Sequence, residues 1–270
     1  MNPFEFLSLT PKSNCGECGH PTCLAFSVAV TKGGADPKGC RHVDPSTLPP
    51  ELEPSPPGDE HEPSARQTDL ALVEHLKGKI AELDFEMRAP SVGAQWNLTD
   101  PDLLVFKYLD YEVHLRKNGI TIDGEDVDDP RDSILLYNYI FYGGSEEVEP
   151  VWVGMESLPN SISKVTTLAT YCEKILARRF SGRAQKLSAI CRKLGAAPAD
   201  AEQSASVAGI IFVLPRIPIY LLFWDEAKEE GFEAKVKVLF DRRVLQILDL
   251  ESLVFTAERM AERMVDLDNL

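Results

Sequence analysis

The sequence predicts an α+β protein: a small Cys-rich N-terminal domain, then a larger domain of antiparallel strands and helices. Three observations predict this. Four of the six cysteines fall within the first 43 residues. Seven prolines (45, 49, 50, 54, 56, 57 and 63) then crowd residues 44–64, among six acidic residues. Beyond them, strand-like patterns come in runs and helix-like patterns come in runs, which argues against a βαβ series.

Proline at that density blocks helix and sheet pairing, and like charges extend the segment. The expected organisation is therefore a cluster domain over residues 1–43, a Pro-rich acidic linker over 44–67 and an α+β domain over 68–270. That second domain is expected to fold alone, since about 200 residues can bury a core of their own.

Within it, Thr68 is the expected N-cap of a helix. Leu72, Leu76, Ile80, Leu83 and Met87 recur at helical spacing and predict one apolar face. After Pro90 the period changes. Leu104, Phe106 and Tyr108 alternate, as do Val113 with Leu115 and Ile120 with Ile122, and Asn118-Gly119 signals a hairpin. A small antiparallel meander is expected there. Asp132 and Ser133 are expected to cap the apolar segment 134–142, and residues 151–155 to form a short strand. Residues 163–179 and 183–194 read as two helices, 234–241 as a strand, and the residues after Asp249 as a closing helix with Leu253, Ala257, Met260 and Met264 on one face.

Residues 207–224 carry one charge, Arg216, over 18 residues, near the length of a membrane span. Pro215 and Pro218 flank that charge and would break a helix at its centre. Two buried strands joined by a Pro-bearing turn are expected instead, with no membrane insertion.

The formal charge is −15, from 28 basic and 43 acidic residues. Such a surface repels phosphate backbones and anionic bilayers, so neither nucleic acid nor a membrane surface is an expected partner. Residues 1–43 differ, with a balance of +1. The N-terminus lacks a basic, apolar leader pattern, so a cytoplasmic location is expected. In that reducing compartment cysteines serve as metal ligands more often than as disulfides.

Cys15, Cys18, Cys23 and Cys40 are spaced C-x2-C-x4-C-x16-C. Gly16 and Gly19 permit positive φ, so the chain can wrap one centre. Cys23 opens a short helix candidate whose dipole end would face thiolates, and Gly33-Gly34 would end that helix and return Cys40. Four thiols can bind zinc or an iron–sulfur cluster. Spacing alone does not decide between them, although three close cysteines with a distant fourth look more like a cluster loop than like paired zinc knuckles.

The stretch from Leu9 to Phe26, with Pro11-Lys12-Ser13-Asn14 before the cysteines and Thr22-Cys23-Leu24-Ala25-Phe26 after, resembles the four-iron four-sulfur domain of the corrinoid iron–sulfur protein. That domain type also occurs in the B subunit of Rnf electron-transport complexes. The resemblance implies that Cys15, Cys18, Cys23 and Cys40 ligate a [4Fe–4S] cluster. It also implies a redox partner protein, with a corrinoid protein of anaerobic metabolism that needs its cobalt reduced as the expected acceptor. One departure stands out: the family follows its last cysteine with proline, whereas Arg41 and His42 follow Cys40 here. Both can donate hydrogen bonds to sulfur and, if charged, would raise the cluster's potential. Residues 218–224 and 232–241 resemble an uncharacterised domain that follows this cluster module in anaerobes.

The other candidates have plainer readings. Cys172 and Cys191 are expected as buried small hydrophobes. His20 is either a donor near the cysteines or a solvated loop residue, while His75 and His114 stand alone and His61 falls in the linker. Asp225, Glu226, Glu229, Glu230 and Glu233 read as a solvated hairpin loop. Trp96, Trp152, Trp224 and the Tyr137–Tyr142 aromatics are expected in the core. No phosphate-binding loop or nucleophile elbow is present. The expected function is electron transfer. A cluster-based redox sensor, a zinc-stapled interaction module and an enzyme with an unrecognised site are the alternatives.

Overall fold

A computed structural model describes residues 2–270 apart from 14, 16, 21, 34, 45–47, 49–64, 145–148, 150 and 200–204. The expected linker lies outside the described residues except at 44, 48 and 65–67, and so does His61. The chain divides into two compact units, Met1–Glu62 and Pro63–Leu270. The fold is α+β, and among the described residues the strands pair antiparallel.

The first unit holds α1 (Pro3–Leu7), α2 (Cys23–Gly33) and a 3-10 turn at Pro37–Gly39. Its core is small: Phe6, Phe26, Val30, Cys40 and Val43 are buried, with Leu9, Cys18, Ala35 and Leu48 packed around them. The Phe6 and Phe26 rings meet edge to face at 5.8 Å, a favoured aromatic geometry.

The second unit opens with α3 (Ala65–Ala81) and α4 (Phe85–Val92). This corrects the single helical face. Asp84 accepts a hydrogen bond from Met87 N at 3.3 Å and starts a new helix inside the periodic run. The core face is Val73, Leu76, Ile80, Phe85, Ala89 and Val92, while Leu72 and Met87 are exposed. Helix α3 also begins before Thr68, which is therefore not its cap.

Strands β1 (Gln95–Asn97), β2 (Asp100–Tyr108), β3 (Tyr111–Arg116), β4 (Gly119–Ile122) and β5 (Glu125–Asp126) form a five-stranded meander in sequence order. Leu104, Phe106, Tyr108, Val113, Leu115 and Ile120 are buried, as period-two alternation requires. Helix α5 (Pro130–Tyr142) follows. Its cap is Asp129, which accepts from Arg131 N at 2.9 Å, rather than Asp132, because Pro130 fits the first helical position.

Strands β6 (Trp152–Val153), β7 (Val207–Leu214), β8 (Ile217–Trp224) and β9 (Lys235–Asp241) form a second sheet in the order β6-β9-β8-β7. The span-length apolar segment is thus a hairpin, β7 and β8, turning at Pro215-Arg216. Among the described residues no helix is long and apolar enough to cross a membrane. Arg216 N donates to Tyr139 Oη at 3.1 Å, and that hydroxyl donates to Val92 O at 2.6 Å, tying the turn to α4 and α5.

Helices α6 (Ile162–Leu168) and α7 (Lys174–Phe180) are joined without a break by a π-helical turn, Ala169–Glu173. That turn directs Glu173 at β9, where Oε1 accepts from Val238 N at 3.1 Å. Strand β6 pairs only with Phe240 and Asp241, so the Glu173 carboxylate satisfies a donor on the sheet edge that β6 leaves uncovered. Helices α8 (Ala184–Lys193) and α9 (Leu250–Asn269) complete the unit, with Leu253, Ala257, Met260 and Met264 of α9 fully buried.

Two expectations change. Trp96, Trp152 and Trp224 are only half-buried and Tyr142 is exposed, while Tyr137 and Tyr139 are buried. Asp225 is not merely part of a solvated loop. Its carboxylate accepts from Gly182 N at 2.7 Å and Ala184 N at 3.2 Å, capping the start of α8.

Candidate metal centre

Each predicted ligand has a definite place in the first unit. Thr22 Oγ1 accepts from Ala25 N at 3.0 Å and caps α2, so Cys23 stands at the first position of that helix. Ser27 Oγ donates back to Cys23 O at 2.7 Å. Asp36 accepts from Lys38 N at 2.8 Å, starting the 3-10 turn that delivers Cys40. Gly19, at φ +80°, supplies the left-handed residue in the turn after Cys18.

The four cysteines differ in exposure. Cys23 and Cys40 are buried, Cys18 is half-buried and Cys15 is exposed. None is in a disulfide. Cys40 is buried with Phe6 and Phe26 in that core, and Cys18 packs against it. Four cysteines, two of them shielded from solvent, are the residue type that holds an iron–sulfur cluster or a four-thiolate zinc ion, and no three of their sulfurs lie within 4.8 Å of one another.

Arg41 and His42 do not stand free beside the sulfurs. His42 Nε2 lies 3.1 Å from Glu17 Oε2, and Arg41 Nε lies 3.3 Å from the same oxygen. Sequence reasoning assigned Glu17 no role, since nothing local links it to residues 25 positions away. Cys15, Glu17 and His42 also bring their ligand atoms within 4.8 Å of one another. The His20 ring leans on Phe26 at 5.5 Å between centroids.

The remaining candidates sit in the second unit. Cys172 and Cys191 are buried, and burial pushes both thiols up, Cys191 to about 12. His75 is exposed, and His114 lies 3.0 Å from Glu112. A cavity of about 250 Å³ is lined by Tyr108, Asp132, Arg259 and Arg263 among others. Its charged groups engage one another. Arg259 spans Asp132 (2.9 Å) and Asp129 (2.5 Å), Tyr108 Oη donates to Asp132 at 3.0 Å, and Arg263 grips Asp110 at 2.7 Å. Burial raises Asp132 despite Arg259, and burial followed by the Asp132 charge holds Tyr108 well above the usual phenol range.

Residues 84–263, two thirds of the chain, match the family described as "Domain of unknown function (DUF3786)". The chain belongs to the DUF3786 family. In this DUF3786 chain the family's own region lies within the second unit, and residues 11–42 match a separate family, "Putative Fe-S cluster". The corrinoid/iron-sulfur protein large subunit of Moorella thermoacetica is 49% identical over 43 residues in the N-terminal region, 16% of this chain and 10% of that protein. The match thus spans about a tenth of that relative's length. No solved structure matches. Both resemblances read from the sequence, the iron–sulfur segment and the domain after it, therefore hold.

Proposed function

We propose that this DUF3786 chain is an electron-transfer protein. In this reading Cys15, Cys18, Cys23 and Cys40 hold a [4Fe–4S] cluster and the acceptor is a corrinoid protein. The observation that carries it is the 49% identity between the N-terminal region and the corrinoid/iron-sulfur large subunit. The chemistry that such a cluster supplies when bound is reversible one-electron transfer.

The chain's own residues fit that task. Cys40 is buried in the Phe6–Phe26 core and Cys23 is buried at the start of α2, which limits water at their sulfurs, while Cys15 reaches the surface. Leu24 and Val28 are exposed one turn apart on α2, beside Cys23. A small apolar patch next to the ligands suits the small, transient interfaces of redox encounters. We read residues 1–43 as the cluster domain, 44–67 as its tether and 68–270 as the domain that docks a partner. The separation into units at Glu62/Pro63 supports that reading, as does the tether's proline and acidic composition.

The test mixes the reduced chain, without oxygen, with a corrinoid protein whose cobalt is Co(II). Loss of one electron from the chain should match the appearance of Co(I) absorbance. A reduced, cluster-loaded chain that leaves Co(II) unchanged would contradict the assigned acceptor.

A further inference from the structure

We propose that Cys15, Glu17 and His42 form a binding site for one divalent transition-metal ion of the Fe2+ or Zn2+ type. The three side chains offer a sulfur, a carboxylate oxygen and an imidazole nitrogen within 4.8 Å of one another. That mixed donor set suits borderline divalent ions rather than Ca2+ or Mg2+, which take oxygen ligands. Metal–ligand bonds of about 2.0–2.3 Å hold donors up to about 4 Å apart, so only small rotations are needed. All three residues are exposed. Arg41, 3.3 Å from Glu17 Oε2, orients the carboxylate from outside the trio.

Three protein donors at the surface leave further positions for water, the arrangement of an exchangeable rather than a closed structural site. The buried Cys23 and Cys40 take no part in it. The trio shares Cys15 with the ligand set proposed above. On that reading the single ion and the cluster exclude each other, and the trio is a surface stop for incoming metal beside the buried thiols.

The experiment uses the full chain, stripped of metal by a chelator without oxygen and titrated with Co2+. One Co2+ should bind with the charge-transfer intensity of a single thiolate. His42→Ala and Glu17→Gln should each weaken binding at least tenfold. Both His42 and Glu17 are exposed and outside the small core, so these variants keep the fold, which circular dichroism checks. Absent Co2+ binding, binding indifferent to both variants, or the intensity of four thiolates would overturn the proposal. Iron and sulfide assays on the unstripped chain decide the cluster reading separately. Co2+ uptake by the trio in a cluster-loaded chain would remove Cys15 from the cluster and leave the trio standing.

Discussion

Glu17 and His42, 25 residues apart, meet at 3.1 Å across the cysteine loop. The contact joins the turn between the first two cysteines to the segment after Cys40, and Arg41 reinforces it on the same oxygen. The Arg41 cation, next in sequence to Cys40, is thus offset by a carboxylate. Glu17→Gln removes that negative charge and frees Arg41. A bound cluster should then become easier to reduce, with a less negative midpoint potential. Stability should change by less than about 1 kcal/mol, as expected for exposed pairs. Spectroelectrochemical titration reads the potential, and a shift to more negative values would refute the offset.

The cysteines should separate into two reactivity classes. In the metal-stripped native chain, iodoacetamide should modify exposed Cys15 first. Cys172 and Cys191, buried and pushed up by that burial, should react only after denaturation. Peptide mass spectrometry follows each site. Native labelling of Cys172 as fast as Cys15 would contradict the packing.

Gly93 ends α4 at φ +64°, and a Cβ there would stand 2.8 Å from Pro215 Cβ. A left-handed backbone costs a side-chain-bearing residue about 1–2 kcal/mol, and the contact adds to it. Gly93→Ala should therefore lower the urea midpoint of the full chain clearly. An unchanged midpoint would mean that the close approach between α4 and the β7–β8 turn is not maintained in solution.

Arg259 holds two carboxylates of the α5 N-terminus, Asp129 and Asp132. Burial alone would raise Asp129, but hydrogen bonds from Arg131 and Arg259 outweigh it and hold this carboxyl well below its usual range. Asp132 is raised by burial even with Arg259 present. Arg259→Ala leaves Asp132 buried without its cation, a loss of about 3–5 kcal/mol at pH 7. A raised folded-state pKa means that the ionised form destabilises the fold, so the deficit should shrink as pH falls toward that pKa. Urea unfolding at pH 7 and pH 5 checks this. A deficit that grows at pH 5 would place the strain elsewhere.

What the sequence made legible was local. The Asn118-Gly119 hairpin, the α9 face from Leu253 to Met264 and the start of α2 at Cys23 each follow from signals within a few residues. What stayed hidden depended on distant partners. Asp225 caps α8 across 41 residues, and Glu17 finds His42 across 25. The break between α3 and α4 is invisible in the hydrophobic pattern because Leu83 and Met87 continue the helical period. The Asp84 cap, visible only as one acid among several, decides instead for two helices with a shifted face. The half-buried tryptophans show that large aromatics also serve strand edges, as Trp152 does against Tyr220 at 5.3 Å.

Metal analysis of the full chain tests the central claim most directly. Purified without oxygen, it should contain about four irons and four acid-labile sulfides per chain. Cys15→Ala, Cys18→Ala, Cys23→Ala and Cys40→Ala should each lower both values. Zinc without sulfide would contradict the electron-transfer account and make the cysteine unit a structural staple.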